Sequence, residues 1–79
     1  MVSELHEFVK TQKVVFGVRE TMRHGKKLSR VFVASDCRQH VADTLKQKGL
    51  NVEWLEMPKD ELTDKLALDF KCEVFGVKK

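Results

Sequence analysis

The sequence predicts an α/β protein, a three-layer α/β/α sandwich around a four-stranded mixed sheet. Short β-branched and aromatic runs alternate with longer segments of helical apolar spacing, the signature of strands joined by covering helices. Turn and cap residues stand at the junctions between them. The chain has 79 residues, enough for one domain, residues 1–79, that buries only about 60% of its unfolded surface. A hydrophobic content of 42%, with four Gly and one Pro, suits a globular fold rather than disorder.

Ser3, followed by Glu4 and apolar Leu5, Phe8 and Val9, marks a short first helix with Ser3 as its N-cap. Lys13–Phe16 is a strand ending at Gly17. From Arg19 the chain has no breaker before Gly25, which predicts a helix of about two turns closed by that glycine. Arg30–Ala34 is the second strand. Asp36 is a candidate cap for a helix through Val41, Ala42, Leu45 and Lys48, closed by Gly49. Asn51–Glu56 makes a third strand, and Pro58 opens a loop or helix entrance. Glu61–Leu68 carries Leu62, Leu66 and Ala67 on a fourth helix, and Cys72–Val77 is the last strand. Right-handed crossovers would bring Gly17, Ser35-Asp36 and Met57-Pro58-Lys59 to one edge of the sheet.

The first residues lack the basic start and apolar core of a secretory signal, and no apolar run approaches the ~20 residues of a membrane span. Cys37 and Cys72 sit in apolar-periodic surroundings and read as reduced structural thiols. A cytoplasmic protein with no membrane partner is expected. Net charge is +3, unevenly distributed. Lys10 to Arg38 holds eight basic and two acidic residues (+6), leaving seven basic and ten acidic elsewhere (−3). That asymmetry points to an anionic partner for one region.

Gly17-Val18-Arg19-Glu20-Thr21-Met22-Arg23 is the first candidate for such contact. A glycine lets a ligand backbone approach, and a helix start offers unpaired N–H groups to phosphate. Arg19 and Arg23 share a helical face, and Glu20 between them can accept hydrogen bonds from a guanine edge. The same residues also describe an ordinary amphipathic helix, with Glu20 favoured by the dipole and paired to Arg23. Gly25-Lys26-Lys27-Leu28 is either a phosphate-contacting turn or a solvated connector. Trp54 and the five phenylalanines could be stacking platforms for bases, but Phe16, Phe32 and Phe75 fall inside apolar strands, which favours core packing.

Enzymatic chemistry finds no foothold. His6, His24 and His40 share no metal-ligand spacing, neither cysteine has a partner at C-x-x-C distance, and no glycine-rich phosphate loop is present. Capping accounts for Ser35 and Asp36 beside His40. The expectation is a non-enzymatic protein with no cofactor and no metal.

Four segments together resemble the L-seven-Ae family of kink-turn-binding ribosomal proteins, with its thirty-e and small bacterial relatives. Val15-Phe16-Gly17-Val18-Arg19-Glu20-Thr21 is similar to the family's apolar-G-x-N/R/K-E/Q-T/S junction, and Gly25-Lys26-Lys27-Leu28 to its G-x-x-K-L turn. Val31–Asp36 is similar to its strand end in A-x-D/N, and Pro58-Lys59-Asp60-Glu61-Leu62 to its S-K-x-E-L helix entrance. The likeness runs from about Val14 to Val77. It implies that Gly17, Arg19 and Glu20 contact sheared G·A pairs and phosphates, that Arg23 touches the RNA backbone, and that Asp36 is the strand-end acid. It also implies that Glu56, Met57, Pro58 and Lys59 pack on protruding nucleotides, with Lys26 and Lys27 in the basic turn. The implied partner is a kink-turn in ribosomal RNA or an mRNA leader, bound by a monomer that is ribosome-associated or regulatory. The alternative is a protein-interaction domain on the same fold that has lost RNA recognition. The chain departs from the family at Arg19, where Asn is common, at Cys37-Arg38-Gln39, and at Thr63 and Ala67, where glycines are usual.

Overall fold

Period-two alternation in each strand decides the layering. In the computed structural model, which describes residues 2–79, Phe32 and Ala34 turn to one face of the sheet and Val31 and Val33 to the other. Among the described residues, strands β1 (Val14–Phe16), β2 (Leu28–Val33), β3 (Val52–Trp54) and β4 (Val74–Lys78) form one sheet in the order β1-β4-β2-β3. Helices α1 (Val2–Lys10), α2 (Val18–Arg23), α3 (Gln39–Gln47) and α4 (Lys59–Lys65) cover it. The first face packs Phe32, Phe75 and Val77 against Leu5 of α1 and Leu62 of α4. The second packs Val31, Val33 and Val74 against Val41 and Leu45 of α3 and Met22 of α2. The molecule is thus the expected three-layer α/β/α sandwich.

The sheet is mixed. β2 and β3 pair in parallel, with Val31 opposite Val52 and Val33 opposite Trp54. β4 runs antiparallel to both β1 and β2, with Phe75 opposite Phe16 on one side and Phe32 on the other. Strands β1, β2 and β3 therefore all point the same way, and the last strand of the chain lies between the first two.

Several boundaries differ from the sequence expectation. The N-cap assigned to Ser3 falls outside the described side chains. α2 begins at Val18 and stops at Arg23, and Gly25 does not close it but opens a 3-10 turn over Gly25–Lys27. That turn is closed by Lys27 N, which donates to the His24 carbonyl at 2.8 Å. α3 starts only at Gln39, so Asp36 is not its cap. α4 starts at Lys59, two residues early, and ends at Lys65 because Ala67 adopts a left-handed φ of 54°.

Gly76 shows why α2 can lie so close to the sheet. A Cβ there would fall 2.8 Å from Leu28 Cδ1, 3.0 Å from Val15 Cγ2 and 3.2 Å from Thr21 Oγ1. Any larger residue would push helix and strand apart. Cys37 and Cys72 are both free and buried. Burial, then the nearby Glu73 carboxylate, pushes the Cys37 thiol up to about 11, and burial likewise raises that of Cys72. Neither is a reactive thiolate near neutral pH. No helix of the described residues is long and apolar enough to cross a membrane.

Candidate nucleic-acid interface

Because β1, β2 and β3 are parallel, their C-terminal ends share one edge, and the segments leaving them are bonded to one another there. Gly17 N donates to the Val74 carbonyl at 2.9 Å, joining the exit of β1 to the entry of β4. Ala34 N donates to the Glu73 carbonyl at 2.9 Å, joining β4 to the exit of β2. Ser35 N donates to the Met57 carbonyl at 2.9 Å, and Lys59 N donates to Asp36 Oδ1 at 3.0 Å, joining the exits of β2 and β3. With strands ~4.8 Å apart, these junctions make a strip roughly 14 Å wide.

At one end of the strip Gly17 has φ 92° and ψ 161°, a region open essentially to glycine alone. Nothing lies within 4 Å of where its Cβ would be. The glycine is thus required by its backbone, and it leaves open space above the first turn of α2. Arg19 is exposed and has no ion pair among the described residues. Glu20 is half-exposed and lies 3.5 Å from Arg23 Nη1 and 3.6 Å from His24 Nε2, loose surface contacts of small energetic weight.

Asp36 sits at the centre of the strip. Its carboxylate satisfies the first free N–H of α4, so it caps that helix across the sheet rather than the helix that follows it in sequence. Pro58, with φ −71°, occupies the position before α4, and half-buried Met57 packs against the core beneath. Gly17, Arg19, Glu20, Asp36, Met57, Pro58 and Lys59 therefore gather on one edge.

Lys26 and Lys27 do not join them, and Arg23 reaches back only to Glu20. α2 runs away from the strip, and these three line a groove at the opposite edge, near the start of β2. The sequence showed them contiguous with Arg19 and Glu20, and only the direction of α2 separates them.

One residue of the strip was named in the sequence only as one of five phenylalanines able to stack on a base, and nothing there singled it out. Phe70 is 48% exposed, and its ring meets Phe16 edge-on at 5.3 Å beside Gly17. Its signal was weak: an aromatic between Asp69 and Lys71, outside any periodic run. Around it, Lys71 pairs with Asp60 at 2.9 Å, which raises the lysine's pKa, and Arg38 donates twice to Glu73 Oε1, at 2.7 and 3.2 Å. The strip thus offers an exposed aromatic, a free guanidinium, an acceptor carboxylate and an open glycine backbone. No group of three or more His, Cys, Asp or Glu capable of holding a metal occurs among the described residues.

No protein-family model matches the chain, and no curated protein matches it. Solved structures do. A protein of unknown function from Bacillus halodurans superposes with a TM-score of 0.84 at 18% identity, covering 99% of this chain and 83% of that one. A Giardia lamblia 15.5 kDa RNA-binding protein superposes with a TM-score of 0.77 at 16% identity, covering 99% of this chain and 70% of that one. At such identities the likeness establishes a shared fold.

Proposed function

We propose that this protein is a non-enzymatic RNA-binding protein that recognises kink-turn RNA, in a ribosome-associated or regulatory role, through the strip at the C-terminal edge of its parallel strands. The observation that carries the reading is the convergence of Gly17, Arg19 and Glu20 with Asp36 and Met57–Lys59 on that edge. The fold-level likeness to an RNA-binding protein supports it.

In this reading each group has a chemical task. The open space over Gly17 admits a phosphate or sugar close to the α2 start. Arg19 neutralises phosphates that the bend crowds together. The Glu20 carboxylate, held only loosely by Arg23 and His24, exchanges them for N–H donors on a guanine edge. Met57 and Pro58 supply an apolar surface for a protruding nucleotide, and Phe70 supplies a face on which an unstacked base can lie. Asp36 acts through the position of α4, since its carboxylate is already engaged at Lys59.

Titration of the protein into a kink-turn RNA, and into a matched duplex lacking the G·A pairs, tests this at two salt concentrations. Selective binding with bending of the kink-turn is expected. Glu20→Ala should weaken kink-turn binding by roughly 1–3 kcal/mol while the melting temperature stays put. Equal, weak binding to both RNAs would overturn the reading. Binding that does not fall with salt would do the same, and would turn attention to an apolar protein partner.

A further inference from the structure

We infer that the groove at the opposite edge of the sheet is a second phosphate-binding surface, which holds the backbone of an RNA arm flanking the recognised element. This rests on the proposed RNA-binding reading and extends it to a part of the molecule that the strip does not reach.

The groove measures about 1050 Å³ and lies between the 3-10 turn, the start of β2, the loop from α3 to β3, and Lys79. Arg23, Lys26, Lys27, Arg30, Lys48 and Lys79 line it, and no Asp or Glu does. Two of these cations are occupied. Arg30 is hydrogen-bonded to Glu4 and Glu53, which lie outside the groove and raise its pKa, and Arg23 faces Glu20. Lys26, Lys27, Lys48 and Lys79 are all exposed, with no ion pair among the described residues. Helix dipoles favour cations near a helix C-terminus, which suits Lys48 after α3. They do not account for Lys26 and Lys27 in the 3-10 turn or for Lys79 beyond β4.

The distribution of these lysines selects the occupant. Four point charges on three separate segments line the open groove, with Lys79 N donating to the Lys27 carbonyl at 2.9 Å, and four ammonium groups exceed what one small anion needs. They suit a row of phosphates. Ser29 and Asn51, also in the lining, offer a hydroxyl and an amide to ribose 2′-OH groups. The path from the strip follows α2 and the 3-10 turn, roughly 15 Å in all. In an A-form duplex, about five nucleotides along one strand cover that distance. A backbone leaving Gly17 along α2 would therefore reach the groove within its first half-turn of duplex.

The test compares the full chain with the combined variant Lys26→Gln, Lys27→Gln, Lys48→Gln and Lys79→Gln. A control, Lys10→Gln, Lys13→Gln, Lys46→Gln and Lys65→Gln, loses the same charge outside the groove. Each is titrated across a salt series with a long-armed kink-turn RNA and with a plain duplex. The groove variant should show a log K against log salt slope shallower by about 3, with its melting temperature and its kink-turn preference unchanged. The control should keep a slope close to the parent's. An unchanged slope in the groove variant, or an equal fall in the control, would overturn the inference. Failure of the kink-turn reading looks different: the parent protein would show no preference between the RNAs, while the slope on plain duplex would still report on the groove.

Discussion

Thr21 concentrates the conflict between a binding site and a core in one side chain. It begins its life in the sequence as part of the polar run after Gly17, yet it is fully buried between α2 and the sheet. Its Oγ1 has no hydrogen-bond partner among the described residues. An unsatisfied buried hydroxyl costs about 1–3 kcal/mol, and valine has nearly the same shape and helix propensity. Thr21→Val should therefore raise stability by about 1 kcal/mol, read as a higher urea midpoint with an unchanged slope. A lower midpoint would mean that the hydroxyl has a structural partner such as an ordered water. Burial at this position was legible from neither hydropathy nor spacing, because Gly76, far along the chain, makes the room for it.

At the scale of elements, three helices end in the same way. After α1, α3 and α4 the residue beyond the cap is left-handed: Gln12 at φ 58°, Gly49 at 83° and Ala67 at 54°. Each time two backbone bonds close the end: Gln12 N to Val9 O and Lys13 N to Phe8 O, Gly49 N to Lys46 O and Leu50 N to Leu45 O, Ala67 N to Asp64 O and Leu68 N to Thr63 O. This is the Schellman pattern, and glycine is its usual residue. The sequence announced only the Gly49 end. Ala67 pays a steric cost of about 1 kcal/mol to hold the same geometry, the position where the resembled family usually has glycine. Ala67→Gly should stabilise the protein by about 0.5–1 kcal/mol in thermal melts and slow hydrogen exchange at the end of α4. Destabilisation would show that the alanine methyl contributes packing worth more than the strain. The start of α4 makes the complementary point, since its cap, Asp36, comes from the β2 exit 23 residues earlier.

For the whole molecule, the decisive fact is that β4 fills the middle of the sheet. It pairs with β1 and β2 at once, and Val74, Phe75 and Val77 reach the cores on both faces. The N–H of Gly17 and that of Ala34 are satisfied only by Val74 and Glu73 at its entry. Removal of residues 74–79 should therefore abolish folding rather than fray one edge, with circular dichroism showing loss of the cooperative transition. A truncated chain that still melts cooperatively would mean that β1 and β2 can pair directly. The same insertion sets the separation of the strip from the basic groove, because α2 must run from the β1 exit to the β2 entry across the full height of the sheet.

The alternation of strands and helices, the three-layer class and the junction at Gly17 are legible in the amino-acid sequence. These follow from local rules: period-two and helical apolar spacing, and a backbone conformation that glycine alone adopts readily. Tertiary structure alone decided the strand order, the helix that Asp36 caps, the burial of Thr21, the exposure of Phe70 and the division of the basic residues between two edges. Each of those depends on contacts between segments distant in the chain. Local periodicity specifies which face of an element is apolar, but not which other element comes to cover it.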